Sequence, residues 1–172
     1  MELVRQINAA CVPTSIFMLN DNKDFKYIKR YCKKHLGYSS AGHRGSDLDV
    51  PAIKKLLEDL GHEVLSDIER ERIATIHNVT RFNKGILIIY SAVESSGHCV
   101  AWDGYNVFDP DWHRVETATE FVDRIEVQWI LPKIHPITIK TNLHHRIINA
   151  TKLALTMPKM KNLPYRITNF GH

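Results

Sequence analysis

Two hydrophobic periods divide this chain, and the point where one gives way to the other limits the folds open to it. Up to about residue 65 the apolar positions recur at helical spacing. From "GILIIYSA" at 85–92 onward they come as a β-branched run and then as an alternating hairpin, "GHCVAWDGYNVFDP" at 97–110. Helices first and an antiparallel sheet second make an α+β chain. Neither the glycine fingerprint of a dinucleotide fold nor a P-loop interrupts this order.

The helical part has readable boundaries. "NAACVPTSIFMLND" starts a helix near Cys11, with Pro13 in the first turn, where its missing N–H is not needed. "DFKYIKRYCKKHLG" is a second helix, with Phe25, Ile28, Cys32 and Leu36 on one side, basic residues in its last turn and Gly37 as its stop. "GYSSAGHRGSDLD" reads as a loop that carries His43. Asp49 then caps "VPAIKKLLEDLGH", whose buried stripe is Ile53, Leu56, Leu57 and Leu60 and whose end is Gly61. A short strand is expected at 63–65, an ambiguous segment at 66–82, and a further strand in "RIEVQWILP" at 124–132. Beyond Pro132, "IKTNLHHRIINATKLALTM" suggests a strand end and a short helix.

Charge separates the two ends. Residues 1–126 hold 16 Lys/Arg and 19 Asp/Glu, a net −3, whereas residues 127–172 hold 7 Lys/Arg and no acid, a net +7. The expected division is a catalytic domain over 1–131 and a basic extension over 132–172, packed on the domain or offered to an acidic partner or nucleic acid. No apolar run is long enough for a membrane span, and no signal-peptide pattern opens the chain. Three widely spaced cysteines, Cys11, Cys32 and Cys99, make neither a disulfide framework nor a zinc pair. They fit a reducing compartment: the cytoplasm, or the host cytoplasm for a viral protein.

The hairpin carries the chemistry. With Asp103 and Gly104 as its two turn residues, counting outward sets Trp102 against Tyr105 and His98 against Asp109. Opposed residues share a face of the sheet about 5 Å apart. Alternation puts His98, Val100 and Trp102 on one face and Cys99 and Ala101 on the other, so Cys99 is a small core residue. A carboxylate beside an imidazole fixes its tautomer and favours its charged form, leaving the second nitrogen for a nucleophile. A thiol at a helix N-terminus suits that role, because the helix dipole and an imidazolium both favour thiolate. Cys11 occupies such a position. The Gln6 amide and the Cys11 N–H would supply hydrogen bonds to a developing oxyanion. Taken singly, these residues have plainer uses: a buried thiol, a core or surface imidazole, and a strand end at Asp109-Pro110. Their conjunction favours catalysis.

"QINAACVPTS" together with "GHCVAWDG" and "VFDPD" resembles the papain-like cysteine peptidase superfamily, and more closely its small microbial C39-like branch, related to bacteriocin-processing domains. In that family a Gln precedes the nucleophilic Cys at the start of the central helix, a Gly-His opens a later strand, and an Asp-Pro closes the next. The resemblance covers residues 1–131 and assigns those roles to Gln6, Cys11, His98 and Asp109, in the same chain order. It implies a helical part packed on an antiparallel sheet, with the site in the cleft between them, and no metal or organic cofactor. Val12 stands where the family usually has Gly. The Gln6-to-Cys11 spacing is shorter than the family's, which makes Asn8 a second candidate for the oxyanion donor.

The expected activity is hydrolysis of an amide or isopeptide bond in a protein or peptide substrate. Trp102 either walls the cleft or packs in the core. Trp112 and His113 either rim the site or pack within their loop. Cys32 fills core, and Asp103 is a turn residue. Papain-like folds also host transglutaminases and deamidases, so an amine acceptor or a Gln side-chain substrate stays open. The rival class is a non-catalytic protein that binds nucleic acid or an acidic partner through its basic tail. There the cations are dispersed, and Tyr165 and Phe170 are the available aromatics. His144-His145 lacks companion ligands at metal-binding spacing.

Overall fold

A computed structural model describes residues 1–6, 10–37, 49–65, 84–91, 97–130 and 132–140. The elements are helices α1 (Cys11–Leu19), α2 (Phe25–His35) and α3 (Val50–Asp59), strands β1 (Lys84–Ser91), β2 (Gly97–Trp102), β3 (Asn106–Asp109) and β4 (Arg114–Thr117), helix α4 (Ala118–Gln128) and strand β5 (Pro132–Ile139). The strands form one antiparallel sheet in the order β4-β3-β2-β1-β5. This is the expected α+β architecture, with N-terminal helices packed on an antiparallel sheet. Among the described residues no helix is long and apolar enough to cross a membrane.

Both faces of the sheet are covered, and the alternation within each strand assigns the layers. Ile86, Ile88, Cys99, Ile137 and Ile139 face α1, α2 and α3 in one apolar cluster. Leu87, Ile89, Val100, Trp102, Val107 and Ile134 face Phe121, Val122 and Ile125 of α4 in another. Helix α1 lies deepest. Every residue in it except Phe17 is buried, as expected of a helix apolar on all sides. Its two hydroxyls are satisfied internally: Thr14 donates to the Ala10 carbonyl at 2.8 Å and Ser15 to the Cys99 carbonyl at 2.9 Å. Ile28 and Cys32 bury the inner side of α2, while Phe25 packs its ring on Phe17 at 4.9 Å. Asp49 caps α3 by accepting from the Ala52 N–H at 3.0 Å, with Pro51 in the first turn. Gly37 and Gly61 follow their helices with positive φ, the conformation glycine adopts most freely.

The short strand expected at 63–65 is a bridge, Val64 to Ile139, flanked by the bonds Leu65 N–H to Thr138 O and Lys140 N–H to Glu63 O, both 2.9 Å. Strand β5 extends the sheet through Ile139, so the first residues of the expected extension are part of the domain's sheet. Its two prolines sit on an edge strand, where a missing N–H is tolerated. The ambiguous segment 66–82, His43, and the tail beyond residue 140 with its expected helix lie outside the described residues.

One expectation is overturned. "RIEVQWILP" is not a strand: Arg124 to Gln128 are the last turns of α4. Thr117 and Glu120 form a capping box, in which the Thr117 hydroxyl accepts from the Glu120 N–H and the Glu120 carboxylate accepts from the Thr117 N–H. Phe121, Val122 and Ile125 then bury a helical stripe. The β-branched residues of the window suggested a strand, and the cap that decides the matter lies upstream of it.

Strands β1 and β5 approach closely at Gly85, which lies opposite Thr138. A Cβ there would sit 2.1 Å from the Ile137 carbonyl oxygen. Gly85→Ala is therefore expected to cost about 2 kcal/mol through forced separation of the strands. A lowered urea midpoint with unchanged slope would record it; an unchanged midpoint would contradict it.

Candidate active site

The hairpin turn is displaced by one residue from its expected place. Asp103 N–H donates to the Asn106 carbonyl at 3.1 Å, so the two turn residues are Gly104 and Tyr105. The Asp103 carboxylate accepts from the Tyr105 and Asn106 N–H groups at 2.9 and 2.7 Å and locks the turn. Trp102 now pairs with Val107, and Ala101 with Phe108. Every partner has moved by two positions, and with a side-chain period of two each residue keeps its face. Carried one step outward, this register sets Asp109 opposite Val100, diagonal to His98. The diagonal is within side-chain reach, and His98 Nε2 lies 2.9 Å from Asp109 Oδ1.

Asp109 is wholly buried and fully partnered. Oδ1 accepts from His98 and from the N–H groups of Asp111 and Trp112, at 3.0 and 3.2 Å. Oδ2 accepts from Arg124 Nη2 at 2.9 Å. Burial by itself would push this carboxyl upward. The His98 hydrogen bond and charge, the Trp112 N–H and Arg124 together hold it below the ordinary carboxylate range.

His98 is 8% exposed at the start of β2. Burial opposes its charge, yet hydrogen bonds to Asp109 and to Cys11, and the negative charge of those groups, raise it from 6.5 to about 10. With Nε2 engaged by Asp109, Nδ1 is the nitrogen left for the thiol. Cys11 is the first residue of α1, 7% exposed. The first N–H groups of a helix have no intrahelical acceptor. Cys11, His98 and Asp109 are thus brought into one chain of contacts. The Ser15–Cys99 bond ties α1 to β2 one turn past Cys11 and one residue past His98. It was not anticipated; a lone serine inside an apolar helix was its only sequence signal.

Gln6 comes to the same end of the sheet. Its backbone N–H donates to the Pro110 carbonyl at 2.9 Å and its Nε2 to Asp111 Oδ1 at 2.5 Å. Its buried Oε1 has no partner among the described residues. Asn8, the second candidate donor, lies outside the described residues. Trp102 is 1% exposed within the cluster under α4, the core alternative of its two expected uses. Trp112 is 54% exposed, and its ring lies 5.3 Å from the Arg124 guanidinium. His113 completes the β3–β4 turn with positive φ. Cys32 and Cys99 are fully buried. Burial pushes the Cys32 thiol up to about 12 and the Cys99 thiol well above its ordinary value, so both are poor nucleophiles.

Sequence reasoning missed Arg124. Reading 124–132 as a strand hid its position on α4, over the face that carries Asp109. Its guanidinium also holds Glu116 of β4, with Nε 3.0 and 3.2 Å from the two carboxylate oxygens and Nη2 in closer contact with Oε1. Among the described residues no cluster of three or more His, Cys, Asp or Glu could hold a metal ion. No protein-family model matches the chain, and comparison with curated proteins returns no match.

Proposed function

We propose that this protein is a cysteine-dependent hydrolase of amide or isopeptide bonds, papain-like in fold and nearest the C39-like branch, acting through Cys11, His98 and Asp109. The observation that carries the reading is the position of His98, bonded by Nε2 to a buried carboxylate and raised in pKa by the neighbouring Cys11 at the start of α1 as well as by Asp109.

Each residue has a separate task. The Cys11 thiolate attacks the carbonyl carbon, forming a C–S bond and an oxyanion. The Cys11 N–H stabilises that oxyanion, with the Gln6 amide hydrogen not committed to Asp111 as the second donor. Collapse breaks the C–N bond, and the His98 imidazolium gives its proton to the leaving amine. Water then attacks the thioester while His98 takes a proton from it; the acid is released and the thiol returns. Asp109 holds the imidazole through both steps. The substrate is a protein or peptide, and the cytoplasm (of the host, for a viral chain) is the compartment that suits three unpaired cysteines.

The test is digestion of a mixed peptide and isopeptide library, with products identified by mass. The wild type is expected to release new amine and carboxyl ends, and Cys11→Ala to release none. Ammonia release or transfer to an added amine, lost in the same variant, would move the assignment to deamidation or transglutamination. Equal product from both proteins would end the thiol mechanism.

A further inference from the structure

We infer that Arg124, held in turn by Glu116, is the positioning residue that sets the charge and orientation of Asp109 for the Cys11–His98 pair. The inference rests on the catalytic reading above and adds a layer to it.

The geometry has a direction. Asp109 has two oxygens and they are divided: Oδ1 serves His98 and two backbone N–H groups, while Oδ2 serves, among the described residues, the Arg124 side chain alone. A carboxylate gripped at Oδ2 cannot rotate to offer that oxygen to the imidazole. Arg124 is itself fixed on three sides. Glu116 takes its Nε and Nη2, Gln128 accepts from Nη1 at 3.2 Å, and the rings of Trp112 and Phe121 lie 5.3 and 5.4 Å from its guanidinium. The side chains of Arg124, Asp109 and Glu116 are 9%, 0% and 6% exposed, so solvent screens them little. Signs alternate along the path His98, Asp109, Arg124, Glu116. The outer carboxylate balances the guanidinium, so Asp109 is not wholly neutralised by Arg124 and keeps charge for the imidazolium.

Among the described residues, the charged and titratable groups around Asp109 come from every neighbouring element: His98 and Cys99 on β2, Asp111 in the β3–β4 turn with its own carboxylate taken by Gln6, Glu116 on β4 with Arg114 3.9 Å from it, Arg124 on α4, and Cys11 beside His98. Of these, Arg124 is the cation whose removal raises the carboxyl of Asp109 without touching the imidazole. Glu116 is the anion whose removal lowers it. The two substitutions therefore act with opposite sign, which a merely structural role would not produce.

The experiment measures the rate of Cys11 alkylation by iodoacetamide against pH, by mass spectrometry, in the wild type, Arg124→Gln, Arg124→Lys, Glu116→Gln and His98→Ala. Arg124→Gln is expected to move the acid-side midpoint up by roughly one pH unit. Arg124→Lys should restore most of it, and Glu116→Gln should move it down. If folded Arg124→Gln keeps the wild-type midpoint, the inference is overturned while the catalytic reading stands. If Arg124→Gln does not fold, Glu116→Gln decides alone, and an unmoved or raised midpoint overturns the inference. A wild type whose Cys11 labelling is indifferent to His98→Ala overturns the catalytic reading, and the inference with it.

Discussion

In His98→Ala, alkylation of Cys11 at pH 6 is expected to fall about tenfold or more. The thiolate is the species that reacts, and a neighbouring imidazolium favours it. In the wild type, His98 keeps its proton up to about 10 because Asp109 and Cys11 outweigh the cost of its burial. The imidazolium is therefore present at pH 6 and still present at pH 8. Cys32 and Cys99 act as internal controls, since burial raises both thiols. Their labelling should be slow in both proteins. Equal labelling of Cys11 with and without His98 would mean that the contact between them does not activate the thiol.

Asp109→Ala is expected to destabilise the fold by about 3–5 kcal/mol, the usual cost of removing one partner from a buried ion pair. The carboxylate links β2, the β3–β4 turn and α4 through His98, the Asp111 and Trp112 N–H groups and Arg124. Its loss leaves a buried guanidinium and two N–H groups short of acceptors. The pH dependence of stability should change with it. His98 is raised in the folded state, so the stability it contributes is fully present below pH 6.5 and is lost as pH rises toward about 10. Asp109 is lowered, so its contribution is present above the unfolded carboxyl value and is lost as pH falls through its folded one. Both slopes should flatten in Asp109→Ala. Urea denaturation at a series of pH values measures this. A variant with wild-type stability and wild-type slopes would show that the His98–Asp109 bond is not formed in solution.

The hairpin shows how a sequence argument survives an error in detail. Asp103-Gly104 marked the turn, but the Asp103 carboxylate accepts from the Tyr105 and Asn106 N–H groups, and the chain reverses at Gly104-Tyr105 instead. The shift changes every pair and no face, so His98 and Asp109 still meet. The helix boundaries at Asp49, Gly37 and Gly61 were legible because each depends on local backbone chemistry. Helix α4 was not: its stripe of Phe121, Val122 and Ile125 is short, and its final turns are rich in residues equally at home in a strand. Arg124 became invisible with it. A contact between residues 109 and 124 depends on which element covers which face of the sheet, and neither hydrophobic period nor turn chemistry encodes that.

The covering of the sheet on both faces has a consequence for when the proposed nucleophile would become reactive. Cys11 enters from the layer of α1–α3, and Asp109 is secured from the opposite layer by α4, with His98 on the strand between them. Neither layer alone completes the set. In chain order Cys11 precedes Arg124 by more than a hundred residues, and β5 follows both. On the proposed mechanism, a chain in which α4 has not docked carries an unarmed cysteine, and activation coincides with that docking.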